Sequence, residues 1–275
     1  MIKLIAFDLD GTALHNHAEL SERNRRAMEQ AAEQGIHIVP ATGRVKNFIP
    51  PCLTELPFIR YAITSNGGAV WDLHNDRLIC GNCIPTDAAI RVQQVLEEYP
   101  IYIEHYIDGG AVVRQGDLEI ASSYFGIPKE KLYFLTKNYR FADDLTSFLR
   151  ETNAAPEKIN LMFLPQGMQD ELLAKLKALP DIALTYSNVD SIEINAASCH
   201  KGTAIRSLAD VLGLDISETM AVGDNGNDLE MLRTAGFSVV VGNGIEEAKA
   251  AADAVVAPCE KDGFAEAIEL ALKQN

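Results

Sequence analysis

The chain has 275 residues, 47% of them hydrophobic, and a formal net charge of −15 at pH 7. This length allows one large domain or two, and this charge argues against broad binding to nucleic acid or to an anionic membrane surface. An anionic small molecule is still compatible, since a local cation can dominate a site. No apolar run approaches the roughly 20 residues of a membrane span, and Met1 leads straight into a predicted strand, so neither a span nor a signal peptide is expected. The five cysteines are few and odd in number, which indicates a reducing, cytoplasmic setting.

Strands and helices alternate in the first eighty residues, as is typical of a parallel sheet with helices on its faces. The predicted elements are a strand over 2–7, a helix over 21–34 capped by Ser21 and stopped by Gly35, a strand over 36–39, a short helix interrupted at Pro50-Pro51, a strand over 61–65 and a hairpin over 70–80.

The pattern changes near Pro85. The predicted elements there are a helix capped by Thr86, a hairpin over 101–114, helices over 118–125 and 141–151, a strand over 159–164, a helix over 168–179, and strands over 182–186 and 191–195. This mixed order indicates a separate α+β domain.

Alternation then returns, with a helix over 201–212, a strand over 220–222, a helix to 234, a strand over 237–241, a helix over 245–252, a strand over 254–256 and a helix over 264–273. The chain therefore predicts a sheet domain split by an insertion of roughly a hundred residues, an ordinary domain size.

Two carboxylates, Asp8 and Asp10, follow the first strand, and Gly11 ends it. Ionised carboxylates about 4 Å apart repel by roughly 4 kcal/mol at an effective dielectric of 20, so such a pair needs a cation or a proton between its members. Asp, Gly and Thr are also common in solvated turns, and the motif by itself does not decide between the two interpretations.

Polar groups lie at three further places where predicted strands end or a helix starts. These groups are Thr42-Gly43-Arg44, the Lys201-Gly202 helix start, and Gly223-Asp224 with Asp228. If the strands are parallel members of one sheet, all four clusters meet at its carboxyl edge, where open α/β sheets bind ligands.

With these four motifs in this order, the sequence resembles the haloacid dehalogenase-like hydrolase superfamily, and within it the Cof-type branch of magnesium-dependent sugar-phosphate phosphatases. The resemblance covers essentially the whole chain. It implies a Rossmann-like, doubly wound parallel sheet core over 1–83 and 191–275, with an inserted α+β cap over 84–190 that sets substrate specificity. The segment 13–20 is too short to hold a cap.

The resemblance also implies roles for individual residues. Asp8 would be the nucleophile that forms an aspartyl-phosphate, and Asp10 would be the general acid and base. Mg²⁺ would be held by Asp8, Asp224 and the main-chain carbonyl of Asp10. The residues implied to bind phosphate are Leu9, Thr42, Gly43, Lys201 and Asn227, with Thr12 and Asp228 in support.

Each residue also has a plain structural interpretation. Thr42 could be only an N-cap, Lys201 only a surface helix residue, and Asp224 and Asp228 first-turn acids beside a helix dipole. His17 is expected to be a loop residue near the first motif. Four other residues stay open: His200 beside the lysine, Arg44 as a substrate ligand or local ion pair, and Asn66 and Asn243 as site residues or turns.

The expected function is a cytoplasmic, Mg²⁺-dependent phosphatase for small phosphorylated metabolites, with sugar phosphates as the first class and flavin-precursor or pyridoxal phosphates left open. The partner is a small phosphate ester rather than nucleic acid or membrane, and a monomer is the working assumption. Two alternatives stay open: a phosphotransferase or phosphohexomutase that uses the same site, and a non-catalytic phosphate-binding regulator.

Overall fold

The computed structural model describes residues 1–125, 138–162, 164, 167–186 and 191–274. The chain forms two compact units, the first made of Met1–Gly81 with His200–Asn275 and the second of Asn82–Cys199. Among the described helices, none combines the length and apolar character needed to cross a membrane.

The strands are β1 (Leu4–Phe7), β2 (His37–Pro40), β3 (Tyr61–Thr64), β4 (Ala69–Asp72), β5 (Arg77–Gly81), β6 (Tyr102–Ile107), β7 (Gly110–Arg114), β8 (Arg140–Ala142), β9 (Lys158–Met162), β10 (Ile182–Thr185), β11 (Ile192–Ala196), β12 (Thr219–Gly223), β13 (Phe237–Val240) and β14 (Ala254–Val255). The α-helices are α1 (Glu22–Glu33), α2 (Pro51–Thr54), α3 (Thr86–Leu96), α4 (Asp117–Phe125), α5 (Leu145–Thr152), α6 (Gln169–Lys177), α7 (Lys201–Leu212), α8 (Leu229–Thr234), α9 (Glu246–Ala251) and α10 (Gly263–Gln274).

The first unit is built on a parallel sheet with the order β14-β13-β12-β1-β2. In this register Phe7 lies opposite Val222 on one side and Pro40 on the other. An isolated parallel β-bridge between Ala41 and Ile63 connects this sheet to a second, antiparallel sheet with the order β3-β4-β5. Since β1 lies between β2 and β12, the segments that follow these three strands leave the sheet side by side, as the sequence predicted.

Local sequence signals explain the elements that carry the site. All four residues of β1 are buried, as expected for a central parallel strand. The Ser21 side chain accepts the N–H of Asn24 and caps α1, and Gly35 has a φ of +81° just after the helix. Both caps confirm the prediction, as does the alternation of strands and helices in this unit.

The second unit is a six-stranded sheet with the order β10-β11-β9-β6-β7-β8, and α3 packs against α5 and α6. Its apolar core includes Ile103, Ile159, Leu161 and Ile194. The sheet is antiparallel except for β7 and β8, which pair in parallel. The predicted α+β order is therefore present in this unit.

Three details in the second unit differ from the sequence prediction. Residues 141 and 142 form a strand with Arg140 rather than the start of a helix, because they pair with β7. Thr86 does not cap α3: Pro85 holds that position, and the Thr86 hydroxyl donates to the carbonyl of Asn153 at 3.2 Å. The strand β11 pairs with β9 and β10, so the unit runs to Cys199 rather than to the predicted boundary at 190. Residue 163 of the predicted strand 159–164 lies outside the described residues.

Candidate active site

A buried ion-pair cluster lies where β1 and β12 end. The Lys201 ammonium is 2.6 Å from Oδ1 of Asp8 and 2.7 Å from Oδ1 of Asp228, and Lys201 has no solvent-exposed surface. Lys201 is the first residue of α7, which points its side chain at the carboxyl end of the sheet. The interpretation of Lys201 as a surface residue is wrong.

The loop after β12 is held by Asp228. Its Oδ2 accepts the main-chain N–H groups of Asp224 at 2.9 Å and Asn225 at 3.0 Å. Asp228 therefore uses one oxygen for Lys201 and the other for the loop. It thereby connects α7, which carries Lys201, to the loop that carries Asp224.

The Asp224 side chain contacts the segment that follows β1. The Thr12 hydroxyl donates to Oδ1 of Asp224 at 2.6 Å. Gly11 has a φ of +85°, and a Cβ there would lie 2.7 Å from Oδ2 of Asp224. A side chain at position 11 would be strained and would displace this carboxylate, so glycine is required where the two loops meet.

Carboxylate oxygens of Asp8, Asp224 and Asp228 lie within 4.8 Å of one another. Burial raises the pKa of Asp8, with Asp228 and Asp224 adding to the effect and Lys201 opposing it. Burial also raises the pKa of Asp224 to about 6, which the Thr12 hydrogen bond partly offsets. The Lys201 ammonium contacts two of these three acids, so the three carboxylates carry more negative charge than this lysine balances. Hard oxygen donors with unbalanced negative charge fit a Mg²⁺ ion.

The Asp10 side chain faces different partners. Arg44 donates to both of its oxygens, from Nε to Oδ2 at 2.8 Å and from Nη2 to Oδ1 at 2.5 Å. Nδ1 of His17 is 3.2 Å from the same Oδ1. Arg44 therefore makes a local ion pair, and His17, expected to be only a loop residue, touches a predicted catalytic carboxylate.

The predicted phosphate ligands Thr42 and Asn227 are joined through Asn66. The Asn66 main-chain N–H donates to the carbonyl of Thr42 at 3.0 Å, and Nδ2 of Asn227 donates to Oδ1 of Asn66 at 3.2 Å. Ser65 and Asn66 have consecutive φ values of +54° and +59°. Strained non-glycine backbone of this kind is common at functional sites. The sequence left Asn66 open as a site residue or a turn, because nothing in it reveals the backbone angle.

The remaining candidates have structural partners. The Leu9 carbonyl accepts three N–H groups of the following turn, and Gly43 lies between Thr42 and the ion-paired arginine. Nδ2 of Asn243 donates to the carbonyl of Gly11 at 2.8 Å, so Asn243 supports the first motif, a role the sequence left open. Nδ1 of His200 accepts the Thr203 N–H at 3.2 Å and caps α7.

In the second unit, polar groups of the central sheet bind one another. The hydroxyls of Tyr102 and Tyr106 both donate to the buried carboxylate of Glu104, at 3.1 and 3.0 Å. His105 is paired with Gln93 at 2.8 Å. Tyr102, Glu104 and Tyr106 therefore form an internal hydrogen-bond network on one face of β6, and His105 bonds to α3.

Comparison with known proteins agrees with this geometry. The family model of haloacid dehalogenase-like hydrolases matches residues 5–268. The chain is 30% identical to the putative phosphatase YxeH of Bacillus subtilis, over 98% of this chain and 97% of that protein. It is 26% identical to a second B. subtilis protein, 5-amino-6-(5-phospho-D-ribitylamino)uracil phosphatase YcsE, over 97% of this chain and 94% of the relative. A solved haloacid dehalogenase-like hydrolase from B. subtilis superposes with a TM-score of 0.81 at 26% identity, covering 98% of this chain and 99% of that one.

The chain therefore belongs to the haloacid dehalogenase-like hydrolases. The family that its motifs resemble is confirmed, as are the Cof-type branch, the α/β fold class and the enzyme class, a phosphatase-type hydrolase.

Proposed function

We propose that the protein is a Mg²⁺-dependent phosphatase that hydrolyses small phosphorylated metabolites through an aspartyl-phosphate on Asp8. The observation that carries this proposal is the buried Lys201, which bridges Asp8 and Asp228 beside the third carboxylate, Asp224. A lysine with two ionic partners neutralises charge where an anionic ester must approach an anionic nucleophile.

The Asp8 carboxylate needs no base to act as a nucleophile, since it is the ionised form that attacks phosphorus. Its difficulty is repulsion from the phosphate, which the Lys201 ammonium at 2.6 Å reduces. Asp8, Asp224 and the Asp10 carbonyl would hold Mg²⁺, and the bound ion supplies further positive charge for the transferring phosphoryl group. Asp228 orients both the lysine and the Asp224 loop.

In this proposal Asp10 gives a proton to the leaving oxygen and later takes one from water. The phosphate is bound by the Thr42 hydroxyl, the Asn227 amide, and the main-chain groups of Leu9 and Gly43. Support comes from the contacts that join Thr42 and Asn227 through Asn66.

Sugar phosphates and related polyol phosphates are the proposed substrates. The relative YcsE, whose name gives a phosphoribityl substrate, supports this class. We also propose that the second unit is a cap that selects the leaving group, that the enzyme works in the cytoplasm, and that it is a monomer.

The test measures phosphate release from p-nitrophenyl phosphate and from a panel of sugar, ribityl and pyridoxal phosphates. The proposal expects turnover with Mg²⁺, none after chelation, and a loss of at least about 10³-fold in Asp8→Asn. The matched control is Asp72→Asn, since Asp72 is also buried in the first unit but pairs with Arg60, the residue before β3. Undiminished turnover in Asp8→Asn would exclude the nucleophile.

A further inference from the structure

Both oxygens of the Asp10 carboxylate accept hydrogen bonds from the same side chain, that of Arg44. Nε and Nη2 of Arg44 donate to Oδ2 and Oδ1 at 2.8 and 2.5 Å, an arrangement in which a planar guanidinium fixes the plane of a carboxylate as well as its position. His17 adds a contact to Oδ1 at 3.2 Å. The orientation of Asp10 is therefore set by contacts outside the Asp8–Lys201–Asp224–Asp228 cluster.

Arg44 is itself anchored. Nη1 donates to the carbonyl of Phe48 at 3.3 Å, and Nη2 donates to the carbonyl of His17 at 2.7 Å. The Arg44 main-chain N–H donates to the Thr42 hydroxyl at 3.1 Å, and its carbonyl accepts the Ser65 N–H at 2.9 Å. Most of the five guanidinium donors are thus engaged by protein, which suits a support better than a phosphate ligand.

The chemistry of the contact indicates which half of the reaction it serves. A guanidinium that donates to both oxygens occupies only two of the about four acceptor sites of a carboxylate, so Asp10 keeps a site that can accept a proton from water. We propose that Arg44 is a positioning residue that holds Asp10 as the general base for hydrolysis of the aspartyl-phosphate. This inference rests on the proposed function and adds a role for a residue outside its ligand set.

In this proposal Asp10 acts when water hydrolyses the aspartyl-phosphate. A water oxygen attacks phosphorus while one water proton passes to an Asp10 oxygen. The bond between phosphorus and the Asp8 oxygen breaks, and its electron pair returns to the Asp8 carboxylate. The products are inorganic phosphate, ionised Asp8 and protonated Asp10, which then loses its proton to solvent or to the next leaving oxygen.

The test separates the two half-reactions with dinitrophenyl phosphate, whose leaving group departs without a proton. Rapid quenching measures formation of the phospho-enzyme, and a chase with unlabelled ester measures its hydrolysis. In Arg44→Met, hydrolysis is expected to slow about 10-fold or more while formation is little changed, because only hydrolysis needs the base. Arg44→Lys should recover only part of the loss, since a point charge cannot orient both oxygens.

The control variant is Arg60→Met, because Arg60 also donates through Nε and Nη2 to a buried aspartate of the first unit, Asp72. It should leave both half-reactions unchanged. Unaltered hydrolysis in Arg44→Met would overturn the proposal, and so would equal slowing of both steps or full recovery by lysine. Weaker inhibition by inorganic phosphate with normal hydrolysis would identify Arg44 as a phosphate ligand instead. Failure of the wild-type protein to form any phospho-enzyme would refute the proposed function itself, before any variant is compared.

Discussion

At the scale of single residues, the electrostatics of the first unit depend on Lys201. Burial by itself acts to lower the pKa of its ammonium, but the carboxylates of Asp228 and Asp8 outweigh burial and raise that pKa. Lys201 is therefore charged throughout the neutral range. It stabilises two buried acids that would otherwise lack a cation.

Replacing this lysine should cost more stability than replacing a comparable one. Lys201→Met leaves two buried carboxylates without their ammonium, and we expect it to lower the free energy of unfolding by about 3–5 kcal/mol. The matched variant is Lys158→Met in the second unit, where a buried lysine pairs with Glu193 at 2.6 Å. Urea unfolding, followed separately for each unit, measures the loss in free energy of unfolding for both variants. Equal losses would show that the second carboxylate at Lys201 adds nothing.

The buried His105 makes the second unit sensitive to acid. Burial lowers the pKa of this imidazole to about 3, against an ordinary value of 6.5. As pH falls, the imidazole is protonated in the unfolded chain before it is protonated in the folded chain. The free energy of unfolding therefore decreases as pH falls from about 6.5 to about 3. At about pH 5 the loss is about 2 kcal/mol relative to neutral pH.

The variant His105→Gln keeps a group that can hydrogen-bond to Gln93 and removes the titration. Its stability should change about 2 kcal/mol less between neutral pH and pH 5 than that of the wild type. The control is the same substitution at the half-buried His37. Burial lowers the pKa of His37 as well, but this histidine lies in the first unit. If His105→Gln loses as much stability as the wild type on acidification, the buried imidazole is not the cause.

At the scale of elements, the packing of α7 against α8 positions the lysine. A Cβ at Gly202 would lie 2.4 Å from the carbonyl oxygen of Glu230 and 2.6 Å from Oγ1 of Thr234. Glycine at this position lets the two helices approach and keeps the first turn of α7 at the end of β1.

We therefore expect Gly202→Ala to destabilise the protein by about 2 kcal/mol or more, although alanine favours a helix over glycine by about 1 kcal/mol. Phosphatase activity should fall with it, since Lys201 precedes this glycine. At Gly213, just after the other end of α7, an added Cβ would meet no atom within 4 Å, but the backbone φ is +68°. We therefore expect Gly213→Ala to lower the free energy of unfolding by about 1 kcal/mol. A stabilised Gly202→Ala variant in urea unfolding would contradict this account of the helix contact.

Elements with a strong local signal were predicted from sequence. The helix α7 matches its predicted range of 201–212, and the capped helix α1 lies within its predicted range. Residues 141 and 142 of the strand β8 were predicted as helix, because the conformation of this strand comes from pairing with β7 rather than from its own residues. Likewise, the pairing of Arg44 with Asp10 and the link through Asn66 depend on which side chains the fold brings together, which spacing along the chain cannot reveal.

At the scale of the whole molecule, strand order explains the site. Asp8 and Asp224 are far apart in sequence, but β1 and β12 are neighbouring parallel strands, so their ends are adjacent. The sequence predicted this convergence because parallel strands end at one edge. The outline of the site followed from that rule, and its detailed contacts did not.

The two units should fold separately. Each apolar core cluster lies within one unit, and Nδ2 of Asn82 is 3.2 Å from Oγ of Ser198, so the ends of the second unit are close together. Replacing 82–199 by a short Gly-Ser linker should leave a folded first unit with one cooperative urea transition. A chain without a cooperative transition would show that the first unit needs the second.

The most direct test of the central claim is to trap the phosphoryl group. After brief incubation with an aryl phosphate and Mg²⁺ and an acid quench, peptide mass spectrometry should find one phosphoryl group on Asp8, and none in Asp8→Asn. A phosphoryl group on another residue, or turnover with no covalent intermediate in the wild type, would contradict the account.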